Sequence, residues 1–140
     1  MNQQNPDIID LLLEKAKNSG NNEDLSQLWK ATLHLPQWHF ITRQTDRPED
    51  RKPFIGVIES RPWVFMFTDR EKAREYGNAI KDGGFVDEEG NVLVISMDTQ
   101  KAVDYLMSLS SNGVYGIRIN ELNGWFSPLA QLPAIIRYVK

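Results

Sequence analysis

The chain has no cysteine. Disulfides, thiolate nucleophiles and zinc centres built on thiolates are therefore excluded. Histidine is scarce: only His34 and His39 are present, with Pro36 between them. Their spacing does not match the i, i+4 pair that a helix offers to a metal. No Gly-x-Ser-x-Gly elbow, dinucleotide fingerprint or phosphate loop occurs, so the common nucleophile and nucleotide motifs are missing. No apolar run approaches the roughly 20 residues that span a bilayer. The stretch Met1-Asn2-Gln3-Gln4-Asn5 has no basic region leading into an apolar one, so no secretory signal is expected there. Basic excess is lacking too. The formal charge is −3, and Arg43, Arg47, Arg51 and Lys52 are interleaved with Asp46, Glu49 and Asp50. That pattern reads as a solvated mixed-charge loop rather than a nucleic-acid stripe. The expectation is a cytoplasmic protein without nucleic-acid or membrane partner and without cofactor.

What is present is ordinary globular material, somewhat rich in aromatics. Of 140 residues, 41% are hydrophobic, 25% charged and 10% aromatic, with four tryptophans. This length favours one domain with one core. Asn5-Pro6 reads as the start of a helix whose apolar face is Ile8, Ile9, Leu12, Leu13 and Ala16, ended by Ser19-Gly20. Leu25, Leu28, Trp29 and Thr32 have helical spacing, so a second helix is expected over 24–32.

The texture then turns to strands. Extended segments are expected at 38–42, 53–59, 63–67, 92–95 and 114–119, the last with Tyr115, Ile117 and Ile119 on one face. The short link Ser60-Arg61-Pro62 predicts an antiparallel hairpin. Helices follow two of the strands. Thr68 or Asp69 is expected to cap the first, with Thr68 and Glu71 at capping-box spacing, and Ser96 or Asp98 to cap the second. Asp87-Glu88-Glu89-Gly90-Asn91 has the wrong glycine position for a calcium loop and reads as a turn. Trp125-Phe126-Ser127-Pro128 is read as leading into a last helix capped by Ser127, with a kink or restart at Pro133. The fold class expected is α+β: a single domain over 1–140, with a helical segment at 1–35. Residues 36–140 then supply a mixed, mostly antiparallel sheet of about five strands with helices packed on it.

Two candidate sites follow. Trp38, Trp63, Trp125 and Phe126 lie beside prolines or polar residues. If exposed together they make an aromatic patch for a protein partner; otherwise they close the core at sheet ends. Thr68, Asp69, Ser96 and Asp98 lie near strand C-termini, where α/β pockets form; helix capping explains Asp69 and Asp98 without any activity and is the preferred account. No catalytic or metal-binding residue is assigned.

Phe65-Met66-Phe67-Thr68-Asp69 with Lys72-Ala73, then Gly116-Ile117-Arg118-Ile119-Asn120 and Trp125-Phe126-Ser127-Pro128-Leu129, resemble the N-terminal domain of the SseB family. These are bacterial proteins linked by name to enhanced serine sensitivity. The likeness covers about residues 25–138 and differs in having Glu121 after Asn120, where the family has proline. The resemblance implies an α+β accessory or interaction module with no established enzymatic role, and it transfers no catalytic residue. The function expected is thus a non-enzymatic domain binding an unidentified protein partner, with a homodimer as a further option. The alternative is a small ligand-binding or enzymatic domain with its pocket at the strand C-termini.

Overall fold

The computed structural model describes residues 7–80, 82–121 and 124–139. Two helices come first, α1 (Ile8–Ser19) and α2 (Asn22–Leu33). Asp7 caps α1 by accepting from the Ile9 N–H, and Asn21 caps α2 by accepting from the Asp24 N–H. Gly20 ends α1 at φ 67°, where its lack of a Cβ removes the usual penalty. The Asn5-Pro6 start expected from the sequence lies outside the described residues.

Six strands follow: β1 (Gln37–Ile41), β2 (Ile55–Ile58), β3 (Arg61–Phe67), β4 (Val94–Asp98), β5 (Gly116–Ile119) and β6 (Trp125–Pro128). Helix α3 (Arg70–Ala79) joins β3 towards β4, α4 (Thr99–Ser111) joins β4 to β5, and α5 (Leu132–Val139) follows a 3₁₀ turn at Leu129–Gln131. The sheet runs β4-β1-β3-β5-β6, with β2 also paired to β3. Among the described residues only β3 and β5 pair in parallel. The α+β class and the helical pair ahead of the sheet are as expected. The β2–β3 hairpin is antiparallel, as its short turn predicts.

Side-chain alternation divides the core between the sheet's two faces. On one face Trp38, Phe40, Val64, Met66, Ile117 and Ile119 meet Trp29 of α2, Ala102 and Leu106 of α4, and Leu129 and Leu132. On the other, Ile41, Trp63, Phe65 and Phe67 meet Ala73 and Tyr76 of α3 and Phe85. Burying Ile9 and Leu13 against Leu28 seats α1 on α2.

Four local expectations are corrected. The sheet's sixth strand is β6, which the sequence reading merged into the last helix. Ser127 is a buried strand residue, its hydroxyl donating to the Pro128 carbonyl rather than capping a helix. At Pro133 the expected restart is seen: it sits in the first turn of α5, where no N–H is needed, after the 3₁₀ turn. Strand β4 begins two residues and ends three residues later than expected, because its pairing with β1 runs from Ile41↔Val94 to Gln37↔Asp98. Tyr115 does not share the face of Ile117 and Ile119: it precedes β5 and packs edge-on to Trp63, centroids 5.1 Å apart.

The remaining corrections concern caps. Asp69 alone caps α3, accepting from the Lys72 N–H at 2.8 Å. Thr68 instead belongs to a buried pair with Asn120 and forms no capping box. The Asn120 Oδ1 accepts from the Thr68 N–H at 2.9 Å, and Nδ2 donates to Thr68 Oγ1 at 3.0 Å. Asn120 holds φ 54°, a region asparagine tolerates better than most side chains. Neither Ser96 nor the exposed Asp98 caps α4 by a side-chain bond. The α4 start is fixed through Thr99, which donates its N–H to the Pro36 carbonyl at 3.2 Å and its hydroxyl to that of Leu35.

A charged clasp ties α1 to α3. Lys72 Nζ lies 2.7 Å from Asp7, 3.4 Å from Asp10 and 3.1 Å from Asp69. Burial opposes charge on Asp7, but hydrogen bonds from Lys72 and the Ile9 N–H outweigh it and hold the carboxyl below its ordinary value. Burial likewise opposes charge on Lys72, and its bonds to Asp7 and Asp69 outweigh this and raise its pKa. A lowered carboxyl contributes above its unfolded pKa and loses that contribution as pH falls through the folded value. A raised amine contributes below its unfolded pKa and loses it as pH rises through the folded value. The clasp therefore acts fully between about pH 4 and pH 10. Replacing Asp7→Asn is expected to cost about 1 kcal/mol at pH 7, discounted for partial exposure. Urea melts at pH 7 and pH 3 check this: the difference from wild type should be smaller at pH 3 than at pH 7.

Candidate functional site

The four candidate aromatics do not form one patch. Trp38 is fully buried, and its indole N–H donates to the Thr32 carbonyl at 2.9 Å, so it joins β1 to the end of α2. Trp63 is 6% exposed and sits beneath Phe126, ring centroids 5.6 Å apart. Trp125 is half-buried and packs edge-on against Trp29 at 6.0 Å. Phe126 alone is open, at 60% exposure. Alternation along β6 explains the last two: Trp125 follows the pleat towards α2, and Phe126 turns to the other face over Trp63. Burial thus removes Trp38 and Trp63 from any surface, while Trp125 and Phe126 stay together at the sheet edge.

A groove opens beside them. Leu25, Ser26 and Trp29 of α2 form one wall and Ile135, Tyr138 and Val139 of α5 the other, with Trp125 to Pro128 as the floor. Its volume is about 520 Å³. Leu25 and Tyr138 on its rim are exposed, Tyr138 to 73%. The sequence reading missed α5's part in this. The signal lay in Leu132, Ile135, Ile136 and Val139 at helical spacing with Tyr138 beside them, too wide a stripe for one buried face.

Strand β6 ends the sheet. The Leu129 N–H donates to the Tyr115 carbonyl at 2.9 Å. With Arg118 opposite Phe126 in the register, this puts Trp125 and Ser127 in the hydrogen-bonded pairs with β5. The Phe126 backbone N–H and C=O therefore point away from the sheet, and Pro128 at the next outward position offers only its carbonyl.

A second cleft, of about 600 Å³, lies across Trp125 and Phe126 from the groove. Its walls carry Lys17, Tyr76, Arg118 and Glu121. The Arg118 guanidinium stacks against Trp63 and Phe126, 5.0 and 5.1 Å from the ring centroids, and its Nε donates to Glu121 at 3.0 Å. Burial raises the Tyr76 phenol pKa, with the Glu121 carboxylate adding to it, so this hydroxyl remains a donor at neutral pH.

The polar quartet at the strand ends is arranged differently. Thr68 is engaged with Asn120, Asp69 caps α3 and holds Lys72, and Asp98 is exposed. Ser96 Oγ lies 2.7 Å from His39 Nδ1, the two being directly opposite on β4 and β1. Burial lowers the His39 pKa, and the neighbouring Arg70 charge lowers it further. None of the four lines either cleft. Elsewhere, Arg47 pairs with Glu49 and Asp50, and the Asp87 carboxylate accepts from the Glu89 and Asn91 N–H groups. Both stretches are thus the self-satisfied loop and turn expected. Among the described residues no His, Asp and Glu cluster has metal-site geometry, and no helix is long and apolar enough to cross a membrane.

No protein-family model and no curated protein matches the chain. Among solved structures, Tic22 from Plasmodium falciparum is similar over 65% of this chain, at 19% identity and a TM-score of 0.42. The match spans 45% of that protein's chain. A likeness at this level carries no argument about function.

Proposed function

We propose that the protein is a non-enzymatic accessory domain of the bacterial cytoplasm that binds another protein through the groove between α2, β6 and α5. The observation that carries this reading is one groove lined by Leu25, Trp125, Phe126 and Tyr138, with Leu25, Phe126 and Tyr138 exposed. Large aromatics held open on a firm scaffold supply binding area at little entropy cost, and exposed patches of this kind mark interaction sites. The groove's size suits one or two partner side chains. The SseB resemblance agrees with an interaction role. A catalytic pocket at Thr68, Asp69, Ser96 and Asp98 has less support, because three of those side chains are occupied in capping or pairing.

The test is affinity capture from bacterial cytoplasm with wild type and a Phe126→Ala, Tyr138→Ala double variant. Both side chains are exposed, so the variant is expected to melt within about 1 kcal/mol of wild type. A protein retained by wild type and lost from the folded variant is the expected result. Equal retention by both places binding elsewhere. No retained protein, together with a metabolite that raises the melting temperature, favours the ligand-binding alternative.

A further inference from the structure

The two ends of the sheet are finished differently. Strand β6 closes on Pro128, which blunts that edge. At the other end the chain covers its own edge only as far as Leu93. Val86 bridges Val92, and the Leu93 N–H donates to the Phe85 carbonyl at 2.8 Å. At Gly84 this cover turns away, its carbonyl accepting from the Gln44 N–H. The register shows what β4 then offers. The Thr42 N–H donates to the Leu93 carbonyl, and the Thr99 N–H to that of Pro36. With Phe40 opposite Ile95 and Trp38 opposite Met97, this puts Ile95 and Met97 in the hydrogen-bonded pairs with β1. The backbone groups of Val94, Ser96 and Asp98 therefore point away from the sheet. Among the described residues, the N–H and C=O of Val94 and Ser96 and the N–H of Asp98 make no hydrogen bond. The five residues of β4 contain no proline, lysine or glycine to blunt the edge.

An open ladder of this kind is met by another strand, because only an extended backbone supplies acceptors and donors at alternate residues. We propose that a second copy of this chain supplies it, the two β4 strands pairing antiparallel about a two-fold axis at Ser96. The sequence of β4 suits this occupant. The axis sets Ser96 against Ser96 and Val94 against Asp98 of the other copy, so each outward N–H meets an outward carbonyl. Ile95 then lies opposite Met97, both half-buried and apolar. The two Asp98 carboxylates fall at opposite ends of the pair, so like charges do not face each other, and each copy carries a formal charge of only −3. The contact is isologous and closes at two copies.

The experiment is sedimentation velocity on the full chain over a concentration series, for wild type, Asp98→Pro and Asp98→Ala. Asp98 is exposed, makes no side-chain cap bond and has φ −53°, which proline adopts. Proline there removes one outward N–H from each copy and leaves the ladder with β1 intact. Alanine removes the carboxylate and keeps the N–H. Wild type and Asp98→Ala are expected to dimerise with similar dissociation constants, and that of Asp98→Pro is expected to rise at least about tenfold. In the wild-type dimer the Ser96 amide should exchange as slowly as that of Met97 and lose this protection on dilution. A monomer at every concentration overturns the proposal. So does Ser96 protection that appears only with a captured partner, which gives the edge to a different chain. Dimers that Asp98→Pro leaves unchanged, with Ser96 exchanging freely, overturn it as well and place the contact elsewhere. None of these outcomes bears on the groove between α2, β6 and α5.

Discussion

Trp38→Ala is expected to destabilise the protein by about 4 kcal/mol, while Phe126→Ala changes stability by less than about 1 kcal/mol. The two residues look alike in sequence, each a large aromatic near a proline. Their environments are opposite. Trp38 is fully buried in the core that β1, β3 and β5 share with α2 and α4. Truncation leaves a cavity in that core and strands the Thr32 carbonyl, which loses the indole donor. Total stabilities of natural domains are only about 5–15 kcal/mol, so the loss takes a large share. The expected fall in melting temperature is about 10 °C or more. Thermal denaturation followed by circular dichroism reads both variants, and equal shifts would contradict the placement of Trp38.

Gly124→Ala is expected to cost about 3 kcal/mol or more and to detach β6 from the sheet. A Cβ on Gly124 would stand 1.7 Å from the Ile119 carbonyl oxygen and 2.5 Å from that of Asn120. Both are backbone atoms, one in β5 and the other held by the Asn120–Thr68 pair, so neither can withdraw without breaking the parallel β3–β5 join. Gly90→Ala is the matched control. Gly90 has φ 87° but nothing within 4 Å of a Cβ, so only left-handed strain of about 1 kcal/mol is at stake. Since β6 floors the groove, Gly124→Ala should also abolish partner binding where Gly90→Ala does not. Native-state hydrogen exchange at Trp125 and Ser127 reports the loss of β6 directly.

How much was legible in the sequence follows from which signals are local. The continuous aromatic-rich apolar run at 63–67 and the tight link at Ser60-Arg61-Pro62 are enough for β3 and its hairpin, because both depend on neighbours in the chain. Helix α1 was readable from its apolar stripe and Gly20. Strand β6 was not, since its four residues end in proline and lie just before a helical stripe; it is a strand because β5 offers it an edge. The sequence leaves Thr68 and Asp69 as alternative caps because the bond that takes Thr68 out of the choice comes from Asn120, far along the chain. The groove was half legible. Trp125 and Phe126 were singled out, but that Trp38 and Trp63 turn inward depends on sheet register, and the contribution of Leu25 and Tyr138 depends on α2 lying beside α5. Register and helix neighbours are long-range properties that composition and spacing do not encode.

Hydrogen–deuterium exchange on the protein with and without its captured partner tests the central claim most directly. The expected result is added protection confined to α2 around Leu25–Trp29 and to residues 125–139. Protection centred instead on the β4 edge or the Thr68–Asp98 end of the sheet, with α5 unchanged, would contradict it.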